Sequence, residues 1–147
     1  MLIEYILIFL IWTLSLYWLH RAAHTIPVIK RIHSEHHKYI RQHTTKWHWN
    51  NLFLVNDNLL STLDLWVSEI IPTIVISYIT GHWWLCAFYY VWAAFLQENL
   101  EHNSSNNYYP FTAGKWHLIH HTNISKNFGL FIPIWDRLFK TELKIQT

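Results

Sequence analysis

Apolar residues gather into two blocks, 2–19 and 52–100, and each block is followed by a segment rich in histidine and basic residues. Leu2 to Leu19 is almost unbroken, eighteen residues with one carboxylate, Glu4, near the start. That length just reaches what an α-helix needs to cross a membrane. A chain this short has little with which to cover such a helix on all sides, so a span is expected and not a buried core helix. The run has no basic leader and passes directly into His20, which separates it from a cleavable signal. The second block reads as a helical hairpin. One arm runs from about Leu59 to Thr80 and a shorter one from about Trp83 to Leu96, with Gly81-His82 as the turn.

Between the blocks, Pro27 is placed to open a helix that runs to about Ile40. Residues 103–114, rich in Asn, Ser, Tyr, Pro and Gly, read as a loop, and Trp116 to about Thr122 as a further helix. The expected architecture is an all-α integral membrane protein: one N-terminal span plus a helical hairpin, with a His-rich helical cap. As a single domain over 1–147 it divides into a first span (1–19), a His segment (20–51), a membrane hairpin (52–100) and a second His segment (101–147).

Charge orients this arrangement. All eleven Lys and Arg fall in two stretches, six from Arg21 to Lys46 and five from Lys115 to Lys144. The excess of basic residues in cytoplasmic loops puts both stretches on the cytoplasmic face, of a bacterial inner membrane or the endoplasmic reticulum. One span followed by a hairpin returns the chain to that same face. Charged residues make up only 14% of the chain, against about 25% in soluble domains, and ten Trp suit membrane interfaces. A net charge of +2 gives no reason to expect a nucleic-acid partner. The lone Cys86 can form neither an internal disulfide nor a thiolate metal site, and reads as a small buried residue.

The candidate chemistry lies in the histidines. His33-Ser34-Glu35-His36-His37 and His117-Leu118-Ile119-His120-His121 repeat one HxxHH pattern, and His20-Arg21-Ala22-Ala23-His24 precedes them. Spacings of three and four place side chains on one helix face. Eight imidazoles so grouped exceed what one tetrahedral ion needs, which points to a two-metal site held almost wholly by histidine. The alternative, solvated or satisfied core histidines, fits one such motif far better than three. His102 stands where the last span leaves the membrane and can add a ninth imidazole. His43 and His48 lie outside any tight motif and read as local polar residues. His82, at the hairpin turn, belongs to the opposite face and is excluded. Asp64 and Glu69 are acids inside an apolar arm, functional by default or marks of a protein-facing helix, and their role stays open. The sequons Asn103-Ser104-Ser105 and Asn123-Ile124-Ser125 read as chance on a cytoplasmic face.

The order of these motifs, followed by Asn127-Phe128-Gly129 and Trp135-Asp136-Arg137-Leu138-Phe139, resembles the fatty acid hydroxylase (sterol desaturase) superfamily of integral-membrane di-iron oxygenases. The resemblance runs from about residue 15 to 141. It departs from the pattern in having only one span ahead of the first motif and Lys140 where Gly is common. It implies metal roles for His20, His24, His33, His36, His37, His117, His120 and His121, and also for His102. It implies two Fe ions, with Zn able to take their place in purified material, and O2 as co-substrate. The implied reaction is hydroxylation or desaturation at an unactivated C–H of a lipid, which only a redox metal can supply.

Imidazole ligands need partners for their second nitrogens. Glu35, Glu98, Glu101 and Asp136 are the candidates, with a solvated position as the alternative for Glu35. The tail is expected to pack beneath the site, with Asp136 or Arg137 making polar contacts to it. No flavin or nucleotide motif is present, so electrons are expected from an external donor, a reductase or a haem or iron–sulfur carrier. A homodimer is one way for so small a membrane portion to complete a lipid cavity. Two other classes compete with the lipid monooxygenase: a non-catalytic His-rich metal-binding or metal-transport membrane protein, and a degenerate member kept as a scaffold. Confinement of the clusters to one face argues against transport, and the intact motif set against degeneration.

Overall fold

Every regular element is helical in the computed structural model, which describes residues 2–42 (for Gln42 the backbone alone), 46–56, 58–102, 108 and 110–144. Helix α1 spans Leu2–Ala23, α2 Pro27–Gln42, α3 Leu59–Thr80, α4 residues 84–100, α5 Lys115–Thr122 and α6 Ile134–Leu138. A short 3-10 turn, Trp49–Phe53, lies between α2 and α3. His43 and the sequon at 103–105 lie outside the described residues.

The apolar pattern predicts an end to the first helix near Leu19, but α1 continues through Ala23. Ala22 and Ala23 are strong helix formers, and Arg21 suits the negative end of the helix dipole. His20 therefore projects from the span itself and not from a loop after it. Pro27 sits at the first position of α2, where its missing N–H has no partner to lose. Helix α3 starts where the side chain of Asn58 accepts a hydrogen bond from the Ser61 amide at 2.8 Å. It stops at Gly81, whose φ of 73° a side chain would resist. The second hairpin arm runs past the expected Leu96 to residue 100.

The long helices leave much apolar surface outside, and α3 buries polar side chains as well as apolar ones. In α3 the polar Ser61, Asp64, Ser68, Thr73 and Ser77 are buried together with Leu65 and Ile70, while Leu63, Val67, Ile71, Val75 and Ile79 are exposed. Of the apolar stretches of α1 and α3, only 22% and 33% respectively is buried within the chain. A core helix would be covered by protein, and these are not, so lipid is the solvent their outer faces fit. The chain is a membrane protein with two helices long and apolar enough to cross, α1 and α3; α4 is apolar but shorter.

The inner contacts combine aromatic packing with single hydrogen bonds. Trp12 is fully buried, lies 4.8 Å centroid to centroid from Phe131, and donates its indole N–H to Thr73 Oγ1 at 2.8 Å. That ties α1 to α3. Trp135 donates to Thr13 Oγ1 at 3.0 Å and ties α6 to α1. Both hairpin arms contain a π turn, Trp66–Ile70 in α3 and Trp92–Leu96 in α4. Such turns add a residue and re-aim the face that follows. Within or beside them lie the buried Asp64, Ser68, Gln97 and Glu101 and the half-buried Glu69, all lining the small cavity at the histidine end of the hairpin.

Candidate metal centre

The nine imidazoles singled out in the sequence converge, and they do so as two groups. His20, His24, His33, His37 and His120 form one; His36, His102, His117 and His121 form the other. Within each group the candidate ligand atoms lie within 4.8 Å of one another. Helical spacing puts all three histidines of an HxxHH motif on one face, but the face is wide enough to serve both groups. From α2, His33 and His37 point to the five-membered group and His36 to the other. From α5 the pattern reverses: His117 and His121 join the four-membered group and His120 crosses to the five. Ring centroids of the consecutive pairs His36–His37 and His120–His121 are 6.0 and 5.9 Å apart.

Outer partners decide which nitrogen faces inward. His33 Nδ1 donates to Asp64 Oδ2 at 2.8 Å, His20 Nδ1 to the Phe128 carbonyl at 2.8 Å, and His120 Nδ1 to the Lys126 carbonyl at 2.7 Å. Each bond fixes the tautomer with the proton on Nδ1 and leaves the Nε2 lone pair turned into the group. Four Nε2 atoms then close a ring: His24 to His120 at 3.0 Å, His120 to His37 at 3.2 Å, His37 to His33 at 3.0 Å and His33 to His24 at 3.1 Å. In the second group His121 Nε2 and His117 Nε2 are 2.9 Å apart. Imidazole nitrogens about 2.1 Å from a metal ion and at right angles to each other are separated by roughly 3.0 Å. The donor set therefore fits two first-row transition-metal ions.

Burial favours the neutral form of six of these imidazoles, as metal ligation requires. It pushes His36 down to about 3 and His24 to about 4, with the neighbouring His102 and His33 respectively adding to the effect. His37, His117, His120 and His121 are likewise lowered by burial, reinforced by the imidazoles around them.

The outer layer differs in part from the expected one. Asp64, left open in the sequence, makes the direct carboxylate contact to a histidine. Its position as an acid in an apolar arm was the signal that could have found it. Glu101 Oε1 lies 3.5 Å from His117 Nδ1 and Glu98 Oε2 3.7 Å from His102 Nδ1, both longer than good hydrogen bonds. Glu35 instead pairs with Lys38 at 3.8 Å on the outer side of α2. Asp136 touches no imidazole. It accepts hydrogen bonds from the Phe128 and Gly129 amides, both at 2.8 Å, and from Thr141 Oγ1 at 2.7 Å, so it holds the loop whose carbonyl orients His20. Arg137 faces away, against Glu142 at 3.3 Å. His48 caps the 3-10 turn by accepting from the Asn50 amide, and His82 donates to the Thr80 carbonyl beside Glu4, far from both groups. The backbone acceptors of His20 and His120 have no counterpart in side-chain identity and could not be read from it.

A small cavity of about 20 Å³ is bounded by histidines of both groups, His20 and His33 from one and His36 and His117 from the other. That is room for a molecule the size of water or dioxygen.

Two imidazole groups of this make-up, set at the ends of lipid-facing helices, are compatible with metal binding in a membrane protein. The fatty acid hydroxylase family matches residues 5–141, and the chain belongs to that family. It is 29% identical to a Delta(7)-sterol 5(6)-desaturase of Leptosphaeria maculans, over 90% of this chain and 38% of that protein. It is 30% identical to a Delta(7)-sterol 5(6)-desaturase of Candida glabrata, over 94% of this chain and 35% of the other. A putative Delta(7)-sterol-C5(6)-desaturase 2 of Arabidopsis thaliana is 26% identical over 84% of this chain and 42% of its own length. The chain thus spans between a third and a half of the length of these relatives. No solved structure matches it.

Proposed function

We propose that this chain binds two iron ions through His20, His24, His33, His37 and His120 on one side and His36, His102, His117 and His121 on the other. With dioxygen it oxidises an unactivated C–H bond of a membrane lipid at the cytoplasmic face. The observation that carries the reading is the inward turn of the Nε2 lone pairs, enforced by Asp64 and by the carbonyls of Phe128 and Lys126. Iron, when bound, supplies the reducing electrons for dioxygen and the oxidising power that no side chain has. An all-imidazole shell does not itself select iron over zinc, copper or nickel. The oxidation of an inert C–H bond is what favours iron.

The protein's own groups orient and insulate. Asp64 holds His33, Asp136 holds the loop that orients His20, and burial of the imidazoles excludes bulk water from the reacting volume. Hydroxylation consumes one dioxygen, two electrons and two protons, and yields the alcohol and one water. The electrons come from a separate carrier that docks on the basic, histidine-bearing side.

A second reading, desaturation at the same centre, is favoured by the names of the relatives. It consumes the same dioxygen, electrons and protons but leaves a C=C bond and two waters. The two readings part on one measurement, incubation of enriched membranes with ¹⁸O₂ and a reductant. Label in the lipid product supports hydroxylation, and a new double bond without label supports desaturation. Metal content tests both. Protein purified from iron-replete cells is expected to hold close to two irons. His120→Ala and His121→Ala, neighbours that point to different groups, are each expected to lower that content while the protein still inserts. No metal after reconstitution with ferrous iron without air would overturn the proposal.

A further inference from the structure

Beside the histidines lies a second, larger cavity of about 280 Å³. Phe9 of α1 and Phe88, Trp92 and Leu96 of α4 form its membrane side, and Phe111 and Phe131 its floor. Phe88 and Trp92 each meet the Phe131 ring there, with centroids 5.8 and 5.3 Å from it. Such a lining can recognise hydrocarbon and has little to offer a headgroup. Phe88 and Leu96, both in the apolar arm α4, are themselves partly exposed.

Leu130 lines both this cavity and the 20 Å³ cavity bounded by the two histidine groups. It is 8% exposed and sits in the loop held by Asp136, next to the Gly129 amide that donates to that carboxylate. Its backbone is therefore anchored from the same side as the His20 acceptor, Phe128. Leu130 thus borders both an apolar chamber and a polar one.

We propose that Leu130 is the specificity-determining partition of the site. The hydrocarbon segment of the lipid substrate occupies the apolar chamber, and the bulk of Leu130 sets how far that segment advances toward the histidines. This rests on the oxygenase reading for its consequence, the choice of carbon, but the partition itself is a property of the apolar chamber.

Photolabelling tests it without turnover. The full chain in detergent is irradiated with a palmitate carrying a terminal diazirine, and separately with a cholesterol carrying a ring diazirine, and adducts are mapped by mass spectrometry. In the native protein adducts are expected on chamber residues such as Phe88, Trp92 and Phe131, with whichever probe is the better mimic. Leu130→Ala should move adducts onto Asp64, Glu101 or His117 by at least several-fold, and Leu130→Phe should abolish those. Leu130→Val, a smaller truncation, covers the case in which the alanine variant fails to fold. An unchanged map across the variants that fold, or a native map outside the chamber with both probes, would overturn the proposal. Metal content of the same preparations separates the two claims. A map that follows residue 130 in protein unable to hold metal keeps the partition and sinks the oxygenase.

Discussion

His33 is held at both ends: Nδ1 donates to Asp64 Oδ2 at 2.8 Å, and Nε2 lies 3.0 Å from His37 Nε2 and 3.1 Å from His24 Nε2. The carboxylate sits on a lipid-facing helix and the imidazole on the His-rich helix after the first span, so one contact couples the membrane part to the centre. Asp64→Asn removes the charge that favours the Nδ1–H tautomer. We expect it to weaken metal binding about 10- to 100-fold, the usual consequence of losing an outer carboxylate. Competition with a chelator measures it; native affinity in the variant would show that Asp64 is dispensable.

Glu35→Gln supplies the contrast. Its pair with Lys38 is exposed, with side chains 38% and 57% accessible, and exposed pairs contribute about 0–1 kcal/mol. Metal content and melting temperature should match the native protein. A loss of metal would place Glu35 in the centre after all.

Acid should loosen the metal-free fold. In the unfolded chain histidine takes up a proton near pH 6.5, whereas in the folded chain burial holds His24 down to about 4 and His36 to about 3. Between those values the unfolded state binds more protons, so stability rises with pH across the window. It is fully present above about pH 6.5 and is lost as the pH falls toward the folded values. Burial raises Asp136, which works in the opposite sense. The histidines outnumber it, and the melting temperature of metal-free protein is expected to fall steadily on acidification from neutrality. Bound metal should raise the whole curve, since it binds the folded state. A melting temperature independent of pH would contradict the burial of these imidazoles.

The loop around Asp136 should be among the least tolerant of change. Asp136→Ala leaves the amides of Phe128 and Gly129 and the Thr141 hydroxyl without their acceptor, at about 1–3 kcal/mol for each group left buried and unsatisfied. Gly129→Ala should be comparably harmful, because its Cβ would lie 2.7 Å from the Ile132 carbonyl oxygen and 2.8 Å from Asp136 Oδ2. Thermal melts in detergent check both, and a native-like melt for Gly129→Ala would mean that the loop has room to yield.

Much of this was legible in the chain. The bounds of α3 follow from its apolar run and from the glycine that ends it. The helical start at Pro27 follows from proline chemistry, and the excess of imidazoles marked the centre. Helical periodicity could not say which of two groups a histidine on a wide face would join, because that depends on what stands opposite. Asp64 was conspicuous but ambiguous, since an acid in an apolar helix looks the same whether it meets a histidine or a solvent path. Glu35 and Arg137 looked equally suited to the centre by type, yet helix phase carries them outward. The carbonyls that orient His20 and His120 belong to the backbone, where side-chain identity leaves no trace.

The crossing of His36–His37 and His120–His121 between the groups makes the peptide bond the ruler of the site. Consecutive α-carbons are about 3.8 Å apart whatever surrounds them. The offset between the two groups is thus bridged twice by adjacent residues, once in each helix, with ring centroids 6.0 and 5.9 Å apart. Any displacement large enough to move one helix away reaches both groups at once.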